Sequence, residues 1–177
     1  INLAWYNGEP GILFIDTANK DNPTPELGLF EATNPCGEQW LLPYESCNLG
    51  SINLSNYVVN GNIDWDSLKS VVQVAVRFLD NVVDCNKFPI PEIAEMTLKT
   101  RKLGLGIMGL HDMLIKCGKA YSDSEGRNLA ADVMNFIERV ASEYSYQLGY
   151  EKGFIANSRY RNAALTSIQP TGTVSMI

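Results

Sequence analysis

The run Asn34-Pro35-Cys36-Gly37-Glu38 places an amide, a thiol and a carboxylate within five residues, and a second thiol, Cys47, follows eleven residues after Cys36. In an extended peptide, alternation sets Asn34, Cys36 and Glu38 on one side. That face offers a hydrogen-bond donor, a reactive sulfur and a carboxylate able to carry protons. Pro35 and Gly37 favour a loop over a strand or helix. The same residues also suit a plain turn carrying a buried cysteine, because free Cys commonly behaves as a small core residue.

Those groups need elements to position them. Gly11 to Asp16 (GILFID) is a short apolar run that reads as a buried strand. Asn19 to Gly28 is rich in Asn and Pro and reads as loop. Cys47 to Val59 alternates loosely and predicts a strand, and Asn60-Gly61-Asn62 predicts a turn. From Asp64, a plausible N-cap, apolar residues recur at steps of three and four through Val82, which predicts a helix ended by Pro89 and Pro91. Pro91 suits the first turn of the next helix, over Glu92 to Lys102. Ser122 and Glu125 have capping-box spacing. Behind them Leu129, Val133, Phe136, Val140, Tyr144 and Leu148 form one apolar stripe that closes near Gly149 or Gly153. Ala164 to Ile168 reads as a final strand. Strands flanking long helices indicate an α/β architecture.

Two glycine-bearing motifs bear on ligand binding. Gly104, Gly106 and Gly109 match the spacing of a dinucleotide fingerprint, but that motif follows a buried strand and here follows a charged, helical segment. These glycines are expected at close helix packing or a tight turn. At Pro170-Thr171-Gly172-Thr173, a glycine allows close approach of an anion, and two hydroxyls plus the N–H groups of a following helix can bind phosphate. An ordinary strand-to-helix turn accounts for the same four residues.

Composition limits the function classes. The chain has 177 residues, 45% hydrophobic and 19% charged, with net charge −6. The negative charge argues against nucleic-acid or anionic-membrane binding, and no apolar run is long enough to span a bilayer. Asn2, Asn7, Glu9 and Pro10 interrupt any signal peptide. The four cysteines (Cys36, Cys47, Cys85, Cys117) form no C-x-x-C pair and His111 is the only histidine, so no metal site is expected. Free thiols point to a reducing, cytoplasmic setting. Cys85 and Cys117 read as structural thiols, and His111 as a residue that packs or caps within its helix. Arg159 and Arg161 are equally consistent with surface charges and with help in phosphate binding. The chain lacks an initial Met and ends just after the Thr-Gly-Thr turn, which reads as an internal piece of a longer protein.

The motifs together resemble a known family. Ala32 to Gln39 (ATNPCGEQ), Tyr44 to Leu54 (YESCNLGSINL), Arg101 to Leu110 (RKLGLGIMGL) and Pro170 to Thr173 occur in the order found in the catalytic subunit of ribonucleotide reductase. The Gly-Glu-Gln variant and the CNLGSINL run most resemble the adenosylcobalamin-dependent branch, class II. The resemblance implies that residues 1–177 are part of a single catalytic domain, incomplete at both ends. That domain is a ten-stranded α/β barrel with a catalytic finger loop.

It implies a thiyl radical on Cys36, generated with adenosylcobalamin. Glu38 then handles the substrate's 3′-OH proton, Asn34 holds the substrate, and Cys47 supplies one of two reducing thiols. Pro170, Thr171, Gly172 and Thr173 would hold the phosphates of a ribonucleoside di- or triphosphate. Further implied partners are thioredoxin or a similar dithiol, nucleotide effectors at a site outside these residues, and a second copy in a homodimer. Two alternatives stay open. One is the class I catalytic subunit, which receives its radical from a separate metal-containing subunit. The other is a non-catalytic nucleotide-binding module in which Cys36 and Cys47 are structural.

Overall fold

The computed structural model describes residues 1–156 and 158–176. In chain order the elements are α1 (Asn2–Asn7), α2 (Ile15–Ala18), β1 (Ala32–Thr33), β2 (Trp40–Leu41), β3 (Asn48–Asn53), β4 (Val58–Val59), β5 (Asn62–Ile63), α3 (Trp65–Cys85), α4 (Pro91–Thr100), β6 (Leu103–Met108), α5 (Leu110–Lys116) and α6 (Ser124–Lys152). β1 and β2 form a hairpin, β4 and β5 another, and β3 pairs with β6 in parallel. Thr166 adds a single parallel bridge to Leu105 on the far side of β6. Mixed helices and strands make this an α/β fold. The ten-stranded barrel implied by the resemblance is not closed among the described residues.

The helices form where their apolar periodicity and caps direct them. The Asp64 side chain caps α3 by accepting from the Ser67 N–H at 3.1 Å. Pro91 opens α4, where its missing N–H costs nothing. From α3, Leu68, Val72, Val76, Leu79 and Val83 are buried, and from α6 Val133, Ile137, Val140, Ala141 and Leu148. They close over Ile52, Leu103 and Leu105 of the two parallel strands to make one core. Among the described residues no helix is long and apolar enough to cross a membrane.

Several expectations are corrected. Gly11 to Asp16 is not a buried strand: Ile12, Leu13 and Phe14 are exposed, and Ile15 and Asp16 begin α2. Among the described residues no neighbouring strand completes a ladder there, and the apolar run alone does not make one. α3 stops at Cys85, before either proline. α6 begins at Ser124 with Asp123 at its N-cap and no side-chain cap bond, because Glu125 pairs with Lys119 instead of closing a capping box. Ala164 to Ile168 runs beside β6, yet only Thr166 bridges.

The glycine motif is the largest correction. Gly104 and Gly106 lie inside β6, which is buried, and neither is a helix contact or a turn. Only Gly109 is in a turn, with φ 68° at the start of α5. A Cβ on Gly106 would stand 2.0 Å from Gln169 Oε1 and 2.4 Å from the Ser167 carbonyl oxygen. A Cβ on Gly104 would stand 2.3 Å from Leu49 and 2.9 Å from Gln39 Nε2. The glycines therefore admit neighbouring side chains to the strand. Gly106→Ala is expected to lower stability by about 1–3 kcal/mol through overpacking. Gly11→Ala, where a Cβ meets nothing within 4 Å, should shift it by less than about 0.5 kcal/mol. Urea unfolding of both variants checks this, and equal midpoints would refute it.

Candidate active site

The loop between β1 and β2 carries Asn34 to Gln39. It is a tight turn and not the extended peptide that alternation assumed: the Gly37 N–H donates to the Asn34 carbonyl at 3.0 Å. Pro35 and Gly37 (φ 86°) occupy the turn positions they favour. Asn34 closes the loop twice, its N–H donating to the Gln39 carbonyl and its Oδ1 accepting the Gln39 N–H, both at 3.1 Å. Cys36 is consequently exposed at the tip, which excludes the buried-cysteine reading. Asn34 and Glu38 are half-buried.

The root of the loop is fixed to the sheet. Ser167 Oγ donates to the Glu38 carbonyl at 3.2 Å, and Gln39 Nε2 donates to the Leu103 carbonyl at 3.4 Å. Glu38 lines a cleft of about 350 Å³ together with Phe30, Gln39, Trp40, Lys102 and Thr166. Glu38 Oε2 is buried and has no hydrogen-bond partner among the described residues. A buried carboxylate oxygen without a partner is costly, and a hydroxyl placed there would satisfy it.

Cys47 lies one residue before β3 and is half-buried. Burial pushes its thiol above the usual range. Lys102 pulls it down, and the charges of Glu38 and Glu45 push it up. Glu38 and Cys47 thus share one electrostatic environment. All four cysteines are free thiols.

The turn Pro170 to Thr173 follows the segment tied to β6. Gln169 Nε2 donates to the Gly104 carbonyl at 2.6 Å, and Gln169 Oε1 accepts from Ser51 Oγ at 3.0 Å. Thr171 has φ 56°, Gly172 and Thr173 are exposed, and one 3₁₀ turn, Val174–Met176, follows. The cleft beside Glu38 is lined by Ala164 and Thr166 but not by this turn. Arg161 is not available to it: its guanidinium is buried on Asp80 at 2.8 Å. Arg159 lies over the Tyr160 ring. His111 packs edge-on against Tyr121.

Sequence reasoning missed Glu45, Lys102, Ser167 and Gln169. Lys102 Nζ donates to Glu45 Oε2 and to the Trp40 carbonyl, each at 2.8 Å, with both side chains at most 2% exposed. Lys102 looked like the end of an amphipathic helix. Only pairing it with Glu45, 57 residues away, could have revealed it.

Residues 1–160 match the family described as ribonucleotide reductase, barrel domain. This chain belongs to that family. It is 48% identical to a vitamin B12-dependent ribonucleoside-diphosphate reductase of Mycobacterium tuberculosis, over 98% of this chain and 26% of that protein. It is 47% identical to a protein of the same description from Thermoplasma acidophilum, over 100% of this chain and 24% of that protein. A ribonucleoside-diphosphate reductase subunit alpha of Chlamydia pneumoniae is 34% identical over 89% of this chain. The chain spans about a quarter of the length of the two B12-dependent relatives. The β3–β6 sheet has two strands and is left open among the described residues.

Proposed function

We propose that the protein carrying this chain reduces ribonucleoside diphosphates to 2′-deoxyribonucleotides, in a reducing cytoplasmic compartment. These residues would form part of its ten-stranded catalytic barrel. The observation that carries the reading is the loop that exposes Cys36 while holding a buried, unpartnered Glu38 oxygen. The B12-dependent relatives at 47–48% identity favour adenosylcobalamin as the cofactor. The exposed Cys36 thiol fits a bulky radical source approaching the loop tip. When bound, that cofactor would supply the radical that oxidises the thiol. No residue of this chain is assigned to holding it.

Each residue then has a defined task. The Cys36 thiyl removes the 3′-hydrogen, because the S–H bond formed is comparable in strength to the C–H bond broken. Glu38 takes the 3′-OH proton, which eases departure of the protonated 2′-OH as water. Asn34 already spends Oδ1 on the Gln39 N–H, so its Nδ2 donors are what remain for substrate. Cys47 and a partner thiol outside this chain supply two electrons and two protons and close a disulfide; one proton leaves with the 2′-OH as water and the other ends as the new hydrogen at C2′. Cys36 returns the hydrogen to C3′ and is a thiyl again. Pro170 to Thr173 hold the diphosphate through hydroxyls and backbone N–H groups. Thioredoxin or a similar dithiol reopens the disulfide, and effectors and a second copy act elsewhere on the whole protein.

Cys47→Ser in the full-length protein separates the steps. Exchange of the 3′-hydrogen should persist, while deoxynucleotide formation over multiple turnovers should fall to background. Following isotope at C3′ together with product checks both. Normal turnover with thioredoxin would remove Cys47 from the redox role.

A further inference from the structure

Lys102 is a buried cation that the mechanism above does not use. Its Nζ is fixed between the Glu45 carboxylate and the Trp40 carbonyl, and it also stands 4.8 Å from the centre of the Phe30 ring. β3 and β6 run parallel with Asn48 opposite Leu103. Cys47 and Lys102 each lie one residue before the first paired positions of these strands, whose backbones are about 4.8 Å apart where they pair. The charged groups that act on Cys47 from the surrounding elements are Lys102, Glu38 and Glu45. Of these only Lys102 favours a negative sulfur.

We propose that Lys102 is a positioning residue that stabilises the Cys47 sulfur as a thiolate, so that it can leave when an external dithiol reopens its disulfide. This rests on the redox role proposed for Cys47. In the step, a thiolate of the external dithiol attacks the partner sulfur. The Cys47–partner S–S bond breaks, and its electron pair goes to Cys47. The mixed disulfide left on the partner is resolved by the second thiol of the reductant. A leaving thiol of lower basicity departs faster. Burial opposes the charge on Cys47, and Lys102 offsets it from a place that water does not screen. Glu45 holds the ammonium in register and keeps it from being an isolated buried charge.

The test is Cys47 alkylation by iodoacetamide against pH in the full-length reduced protein. Peptide mass spectrometry reads the site, and exposed Cys85 serves as internal reference. Lys102→Met should move the Cys47 midpoint up by at least one pH unit, a loss of about tenfold in rate below the midpoint. Lys102→Arg should restore it. Glu45→Gln should move it down. Lys102→Met/Glu45→Gln, which removes both charges and keeps the protein foldable if the single variant does not fold, should fall between Lys102→Met and the parent. A merely structural Lys102 has no reason to produce that order. A Cys47 midpoint unmoved in both the single and the double variant overturns the proposal. Lys102→Met should also slow multiple turnover with dithiol more than the first turnover of pre-reduced protein. A shifted midpoint with undiminished multiple turnover would overturn the redox role of Cys47 instead.

Discussion

Cys36→Ser in the full-length protein is expected to abolish deoxynucleotide formation while nucleotide binding persists. The reason is local. Cys36 sits on a turn held by backbone and Asn34 contacts, and its own side chain is exposed. A serine there changes one atom and disturbs no packing. The chemistry changes completely, because an O–H bond is far stronger than S–H and a seryl oxygen radical will not form at a useful rate. A barrier increase of only ~7 kcal/mol already costs about five orders of magnitude. Deoxynucleotide formation should thus fall below detection, with substrate affinity within about a factor of three of the parent, roughly 0.6 kcal/mol. Equilibrium dialysis of substrate beside a product assay makes the measurement. Retained turnover would remove Cys36 from the chemistry, and lost binding would return the loop to a structural role.

Asp80→Ala is expected to be the most destabilising single change in this chain. Asp80 is 0% exposed and accepts from Arg161 Nε at 3.0 and 2.8 Å, Arg101 Nε at 2.9 Å and Asn162 Nδ2 at 3.0 Å. Arg101 ends α4 and Arg161 follows α6, so one carboxylate in α3 joins three helices. Removing it leaves two buried guanidiniums short of counter-charge, a loss of about 3–5 kcal/mol. That is a large share of the ~5–15 kcal/mol that holds a typical domain. Burial works to raise the Asp80 pKa, but hydrogen bonds from Arg101 and Arg161 outweigh it and hold the carboxyl below the usual range. Its contribution is therefore fully present above the unfolded value of about 3.9. It is lost as pH falls through the lowered folded value. Denaturant unfolding of parent and Asp80→Ala between neutral and strongly acid pH should show a gap that narrows only below about pH 4. A constant or absent gap would contradict this account.

What was legible in the sequence follows from range. α3 and α6 announce themselves because Leu68, Val72 and Val133, Val140 repeat at helical steps within a single element. The turn around Cys36 was legible because Pro35 and Gly37 act on their own backbone. β6 was not, because its glycines have meaning only once Gln39, Ser167 and Gln169 arrive from elsewhere in the chain. The 11–16 run fails in the opposite sense: Ile12, Leu13 and Phe14 have strand composition but no partner strand among the described residues. At the site, the loop that carries Asn34, Cys36 and Glu38 was readable from the motif. The Lys102–Glu45 pair and the Ser167 tether were not, since each joins positions more than fifty residues apart.

The β1–β2 hairpin has a clamped end and a free end. Ser167 and the Leu103 carbonyl grip it at Glu38 and Gln39, whereas Cys36 projects beyond any such attachment. Mechanically it is a cantilever. Displacement is greatest at the unsupported tip, so the sulfur can move while the Glu38 backbone keeps its station on the sheet. Lengthening the tip would move the thiol alone, and shifting the 164–169 segment would carry Glu38 and the Pro170–Thr173 turn together.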